Sequence, residues 1–185
     1  MDKLSKFVAG IIEGRDPDLC EHHQRIGKIS LLFAQHAGYS AEDAELLSIG
    51  AHIHDIGKLS INEHILNKPT RLTATEFSLI KQHTEIGNKL LLPLGLDPRI
   101  TEIVHFHHEN YDGSGYPQGL SGESIPLLAR MVRVLDSFDA LISTRPYHPG
   151  VSCDEALRML QRDSHLYDPL LLESYCEMMN KRQTG

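Results

Sequence analysis

Positive charge is in short supply. Lysine and arginine number 18 against 25 acidic residues, a net charge of −7 with histidine counted neutral. That balance excludes the basic footprint with which proteins wrap nucleic-acid polymers. Long apolar runs are missing as well. None approaches the ~20 residues that a membrane span needs. The opening segment, MDKLSKFVAGIIEG, lacks the apolar core and cleavage pattern of a signal peptide. Cysteine is scarce. Cys20, Cys153 and Cys176 form no CxxC pair and no even framework, so they read as reduced thiols of a cytoplasmic protein. No alternating run long enough for a convincing strand is present, and no internal repeat, low-complexity tract or linker. The GxSxG motif of serine nucleophiles is absent, and DGSGYP does not supply it.

Histidine is abundant, with 12 residues among 185. An acidic, histidine-rich protein can still bind an anionic substrate if metal cations supply the positive charge. The length fits one domain with a sizeable core.

Helix signals fill the chain. Ser40-x-x-Asp43 opens a helix on which Ala44, Leu47, Ala51 and His54 recur at helical spacing, and Gly57 suits its end. Thr73-x-x-Glu76 opens another, carrying Phe77, Ile80, His83 and Leu90. Asp97-Pro98 sets a capping side chain before a proline at the first helical position. Ser152-x-x-Glu155 and Asp168-Pro169 open two late helices. Residues Leu4, Phe7, Val8, Ile11 and Ile12 share one face of an N-terminal helix expected to pack on the core. The predicted fold is all-α, a multi-helix bundle of six to eight helices, with loops at 38–40 and 110–124.

Candidate metal donors are scattered over five of these segments: His22 in RDPDLCEHHQRIG, His54 and Asp55 in AHIHDIGK, His83 mid-helix in KQHTEIG, His107 and His108 in HFHHEN, and Asp136 in ARMVRVLDSFDA. Taken singly, each is ordinary, since a histidine near a helix end is usually a solvated or satisfied side chain. Asp136 stands out because an unpaired carboxylate in an apolar run is costly. Imidazole and carboxylate together suit iron, manganese, nickel or zinc. Helix bundles build such sites from inward-facing residues of several helices.

The segments HDIGK (54–58), LNKPTRLTATE (66–76), KQHTEIG (81–87), HHENYDGSGYPQGLSGESIP (107–126) and ARMVRVLDSFDALISTRPY (129–147) occur in this order. In them the chain resembles the HD-GYP branch of the HD superfamily of metal-dependent phosphohydrolases. The resemblance covers about residues 16–170. It implies an HD-GYP domain over 16–185 behind a helical extension at 1–15. It also implies an all-helical fold with a central metal site, and hydrolysis of cyclic di-GMP to pGpG or GMP through a metal-bridging hydroxide.

Motif by motif, the resemblance implies His22, His54, Asp55, His83, His107, His108 and Asp136 as ligands of two divalent metals, with Asp55 as the bridge. Iron or manganese is expected first, nickel or zinc next. Lys58 and Asp55 carry the catalytic roles, Lys58 near the scissile phosphate. Gly115, Tyr116 and Arg145 are implied in substrate binding, with His148 a further candidate three positions after Arg145. Asp18, one helical turn before His22, is a candidate ligand for a third metal; its alternative is a helix-start residue favoured by the helix dipole. Glu109 is expected to support the histidine pair, and Asp139 to make a structural hydrogen bond. No role is assigned to His23, His36, His52, His64, His105, His148 beyond that stated, or His165.

Two other readings remain open: a sensor that binds the dinucleotide without cutting it, and an HD enzyme acting on another nucleotide. A homodimer, or an upstream sensor domain if the chain is an excised output domain, would be the partner.

Overall fold

Burial of the apolar faces is shared by two clusters. A computed structural model describes residues 3–143 and 149–184. The described residues form ten α-helices and four short 3-10 turns, with no strand among them. The helices are α1 (Lys3–Arg15), α2 (Pro17–His36), α3 (Ala41–Ile53), α4 (Glu63–Leu66), α5 (Ala74–Lys81), α6 (His83–Leu91), α7 (Pro98–Phe106), α8 (Leu127–Ile142), α9 (Cys153–Arg162) and α10 (Pro169–Thr184). The all-α expectation holds. The helix number exceeds six to eight because short pieces replace single long helices.

The capping chemistry behaves as the sequence suggests. Ser40, Thr73, Asp97 and Ser152 each accept a backbone N–H two or three residues on. Thr73 and Glu76 complete a reciprocal capping box. Asp168 accepts from the N–H groups of Leu170 and Leu171 at the start of α10.

Two expectations need correction. His83 is not mid-helix. The helix opened by Thr73 ends at Lys81, and His83 begins α6, because the chain turns at Gln82. Gly57 does not end α3, which stops at Ile53 with His54 as its cap. Gly57 lies instead in the 3-10 turn Ile56–Ser60. A β-carbon there would meet the His83 carbonyl oxygen at 1.9 Å and the Gly87 nitrogen at 2.7 Å. Its lack of a side chain lets the HD turn press against the start of α6.

The larger core cluster joins α2, α3, α8, α9 and α10 through Phe33, Leu47, Met131, Leu135, Leu160 and Tyr175. The smaller one joins α1, α2, α3, α6 and α7 through Val8, Ile12, Cys20, Ile53, Leu91 and Val104. Only part of the α1 face is buried. Val8 and Ile12 pack inward, whereas Phe7 is 67% and Ile11 45% exposed. The side chain of Leu4 lies outside those described.

Candidate metal centre

Five elements deliver the donors to one place. His22 and His23 come from the first turns of α2. His54 and Asp55 follow the end of α3. His83 starts α6, His107 caps α7 with His108 next, and Asp136 and Asp139 lie on α8. His22, His23, His54, Asp55, His83 and His107 are all buried.

Four of these imidazoles are held by their outer nitrogen. Nδ1 of His54 donates to the Ala51 carbonyl (2.9 Å), of His83 to Ile80 (2.7 Å), and of His107 to Val104 (3.0 Å). Nδ1 of His22 donates to Asp139 Oδ2 (2.7 Å). A carbonyl or carboxylate can only accept, so each of these Nδ1 atoms carries a proton, and Nε2 of His54, His83 and His107 turns inward toward the cluster. This is how metal-ligating histidines are usually oriented.

The inner nitrogens meet carboxylate oxygens rather than donors. His83 Nε2 lies 3.0 Å and His107 Nε2 3.6 Å from Asp55 Oδ1. His54 Nε2 is 3.4 Å from Asp55 Oδ2, and His22 Nε2 is 3.1 Å from Asp136 Oδ1. His83 Nε2 and His107 Nε2 are 3.4 Å apart. The Nε2 atoms of His83 and His107, facing each other and Asp55 Oδ1, repel unless a positive charge lies among them. His54 Nε2 and Asp55 Oδ1 are buried without a hydrogen-bond partner. These residues therefore fit a cation. Asp55, His83, His107 and His108 present donor atoms within 4.8 Å of one another, and so do His22, His54 and Asp136. Asp55 turns one oxygen toward His83 and His107 and the other toward His54.

Protonation follows the same geometry. Burial works against the Asp55 carboxylate, but Lys58 and the surrounding histidines hold it well below the usual range. Burial likewise disfavours ionised Asp136, which the hydrogen bond and charge of His22 outweigh. Burial alone would lower His22, yet Asp136 and Asp139 on its two sides raise it to about 9. Burial pushes His107 down to about 4 and His108 well below its ordinary value. Neutral imidazole is the form that binds metal, so His107 and His108 stand ready for a cation, whereas a cation at His22 would have to displace a proton.

The GYP loop is pinned beside this cluster. Glu109 accepts from the backbone N–H groups of Gln118 (2.7 Å), Gly119 (3.1 Å) and Leu120 (3.1 Å). Tyr116 stacks on His108, ring centroids 4.8 Å apart, and its N–H donates to the His108 carbonyl at 3.1 Å. Lys58 Nζ donates to Asp55 Oδ2 at 2.5 Å.

A family model described as "HD domain" matches residues 6–171. The chain belongs to the HD domain family. Its resemblance to the HD-GYP branch is upheld by its relatives. The chain is 40% identical over 172 residues to the "cyclic di-GMP phosphodiesterase response regulator RpfG" of Xanthomonas campestris pv. campestris, covering 90% of this chain and 45% of that protein. It is 32% identical over 155 residues to the "3'3'-cGAMP-specific phosphodiesterase 3" of Vibrio cholerae, covering 84% and 34%. The chain thus spans less than half the length of these relatives. Among solved structures it resembles an HDG"Y"P protein from Bdellovibrio bacteriovorus, with a TM-score of 0.74 and 24% identity over 92% of this chain and 54% of that one. That likeness shows the fold.

Seven of the expected ligands of this HD domain come together: His22, His54, Asp55, His83, His107, His108 and Asp136. Asp18 does not join them. It is exposed in the first turn of α2, and the cap of that helix is Asp16, whose carboxylate accepts from the Leu19 N–H at 3.0 Å. Arg145 and His148 lie outside the described residues. Asp139 makes the hydrogen bonds expected of it, holding His22 and accepting from Arg25 Nε and Nη2 at 2.8 and 2.9 Å. Glu109 binds the GYP loop rather than the histidine pair. His23, given no role from the sequence, is buried against His54 with ring centroids 4.7 Å apart. Its position next to His22 in an HH pair, like His107–His108, was the available signal.

Proposed function

We propose that this HD domain is a metal-dependent phosphodiesterase acting on cyclic dinucleotides, with cyclic di-GMP as substrate and pGpG or GMP as product. The observation that carries the reading is Asp55, buried between two sets of donors, one carboxylate oxygen turned to each. Two divalent cations would be held, one by Asp55, His83, His107 and His108, the other by His22, His54, Asp136 and the second oxygen of Asp55. Cations so held supply Lewis acidity to the phosphoryl oxygens and lower the pKa of water to near neutrality.

The remaining work falls to the chain's own groups. Lys58 keeps a positive charge at Asp55 Oδ2 while a quarter of its side chain stays exposed, so it can also face a phosphate oxygen. Burial raises the Tyr116 phenol, so its hydroxyl stays protonated as a hydrogen-bond donor. The ring of Tyr116, with Lys81 Nζ 5.1 Å from its centroid, offers a flat cationic wall for an anionic nucleotide. A cavity of about 450 Å³ between α8 and α9 adjoins Asp136, within the roughly 300–1,000 Å³ typical of small-molecule sites. It combines apolar Met159 with Arg133, Ser137 and Asp163, a lining suited to a base. Arg145 and His148, which lie outside the described residues, remain candidates for substrate binding from the sequence.

The names of the relatives support cyclic di-GMP and also bring in cyclic GMP-AMP as the competing substrate. The test is turnover of both dinucleotides by the metal-loaded chain, with Asp55→Ala alongside. Cleavage of cyclic di-GMP at the higher kcat/KM is expected. Asp55→Ala should abolish cleavage and lower metal content while helicity stays unchanged. A metal-loaded chain that binds cyclic di-GMP and never cuts it would make this a sensor. Cleavage retained in Asp55→Ala would overturn the site.

A further inference from the structure

His23 is 2% exposed, and neither of its ring nitrogens has a hydrogen-bond partner. Among the described residues the buried side-chain atoms in that condition are His23 Nδ1, His23 Nε2, His54 Nε2 and Asp55 Oδ1. They belong to three residues that touch. Burying an imidazole with both nitrogens bare forfeits its hydrogen bonds to water with no return.

The spacing suits a shared cation. His23 Nε2 lies 3.9 Å from Asp55 Oδ2, beyond any useful hydrogen bond. Two ligand atoms each about 2.1 Å from one cation stand roughly 3–4 Å apart. The donor atoms of His23, His54 and Asp55 all lie within 4.8 Å of one another. Unlike its four anchored neighbours, His23 has no contact that fixes its tautomer, so either nitrogen can present a lone pair.

We propose that His23 is a metal ligand, sharing a divalent cation with His54 and Asp55. Asp55 is then bounded by imidazoles from α2 as well as from α6 and α7, and α2 contributes through two adjacent histidines. The proposal rests on the metal-centre reading above and adds a ligand to it. Its chemical class is the same: a first-row divalent ion that accepts mixed imidazole and carboxylate donors.

The experiment uses the full chain, stripped with chelator and titrated with Co²⁺, for wild type, His23→Ala and His23→Gln. Bound metal is counted by elemental analysis, and the visible cobalt bands report the ligand set. Both variants should lose one equivalent of cobalt or bind it at least tenfold more weakly, with an altered visible spectrum. The circular dichroism of the stripped proteins should match wild type. Wild-type stoichiometry, affinity and spectrum in both variants would overturn the proposal and leave the metal-centre reading standing. A wild type that takes up no cobalt would overturn both. Should the variants fail to fold, a cobalt-loaded wild-type crystal measured at the metal edge decides alone. An anomalous peak within about 2.5 Å of a His23 nitrogen supports the assignment, and peaks only elsewhere in the cluster overturn it.

Discussion

Gly115 has no room for a methyl group. A β-carbon there would meet the Asn110 nitrogen at 2.2 Å, the Glu109 α-carbon at 2.5 Å and the His108 carbonyl oxygen at 2.5 Å. All three are backbone atoms, so none can swing aside. Gly115→Ala should therefore cost about 1–3 kcal/mol of overpacking strain and lift Tyr116 off His108. Urea denaturation and the KM for cyclic di-GMP read the two effects, and a variant with wild-type values of both would remove the loop from the site. At this scale much was legible. His54, Asp55, His83, His107 and His108 sit in segments whose local pattern marks them. His23 was not, because adjacent residues on a helix point about 100° apart. Only the approach of α3 to α2 decides that both imidazoles are enclosed. Glu109 misled for a related reason: its partners, the N–H groups of residues 118–120, become neighbours only when the loop folds back.

Helix starts with a capping pair in the sequence were readable, and the ends of α3 and α5 were not. A cap is a contact between residues two or three apart, visible in the sequence as Thr73-x-x-Glu76 or Asp97-Pro98. The break at Gln82 and the early stop of α3 answer to packing between distant segments, above all Gly57 against the backbone of His83 and Gly87. The first turn of α5 also carries a pH dependence. Glu76 accepts from Lys68 Nζ at 2.7 Å with each carboxylate oxygen, and from the Thr73 N–H and hydroxyl at 2.8 and 2.9 Å. Led by Lys68, these bonds depress its pKa from an ordinary 4.5 to about 2. A carboxylate depressed in the folded state adds stability that is full above its unfolded value and lost as pH falls through the folded one. The stability difference between wild type and Glu76→Gln should be constant from neutrality to about pH 4.5, then shrink toward pH 2. Urea midpoints of both proteins over that range measure it. A difference unchanged between pH 6 and pH 3 would show that Glu76 contributes through shape rather than charge.

Across the whole molecule, the donor cluster ties together helices that otherwise touch through two separate cores. α2, α6 and α8, and the residues that directly follow α3 and α7, each place at least one candidate ligand in it. Without a cation, the Nε2 lone pairs of His83 and His107 face each other and Asp55 Oδ1 in a buried space, an arrangement that opposes folding. A cation reverses the sign of that contact. A ligand that binds only the folded state stabilises it by RT ln(1 + [L]/Kd), about 2.7 kcal/mol at one hundred times Kd. For a chain of this size each kcal/mol moves the melting temperature by roughly 2–4 °C. Chelation should then lower Tm by roughly 5–10 °C, and returning manganese or iron should restore it in a concentration-dependent way. Asp55→Asn should blunt the response, because it keeps the shape of the carboxylate and removes the charge the cations share. Magnesium, which favours oxygen donors over imidazole, should restore less than manganese at equal concentration. Differential scanning calorimetry of the stripped and reloaded chain makes the measurement. A Tm indifferent to chelator and to added manganese would mean that the buried donors close on one another without a cation, and the metal-centre reading would fall with it.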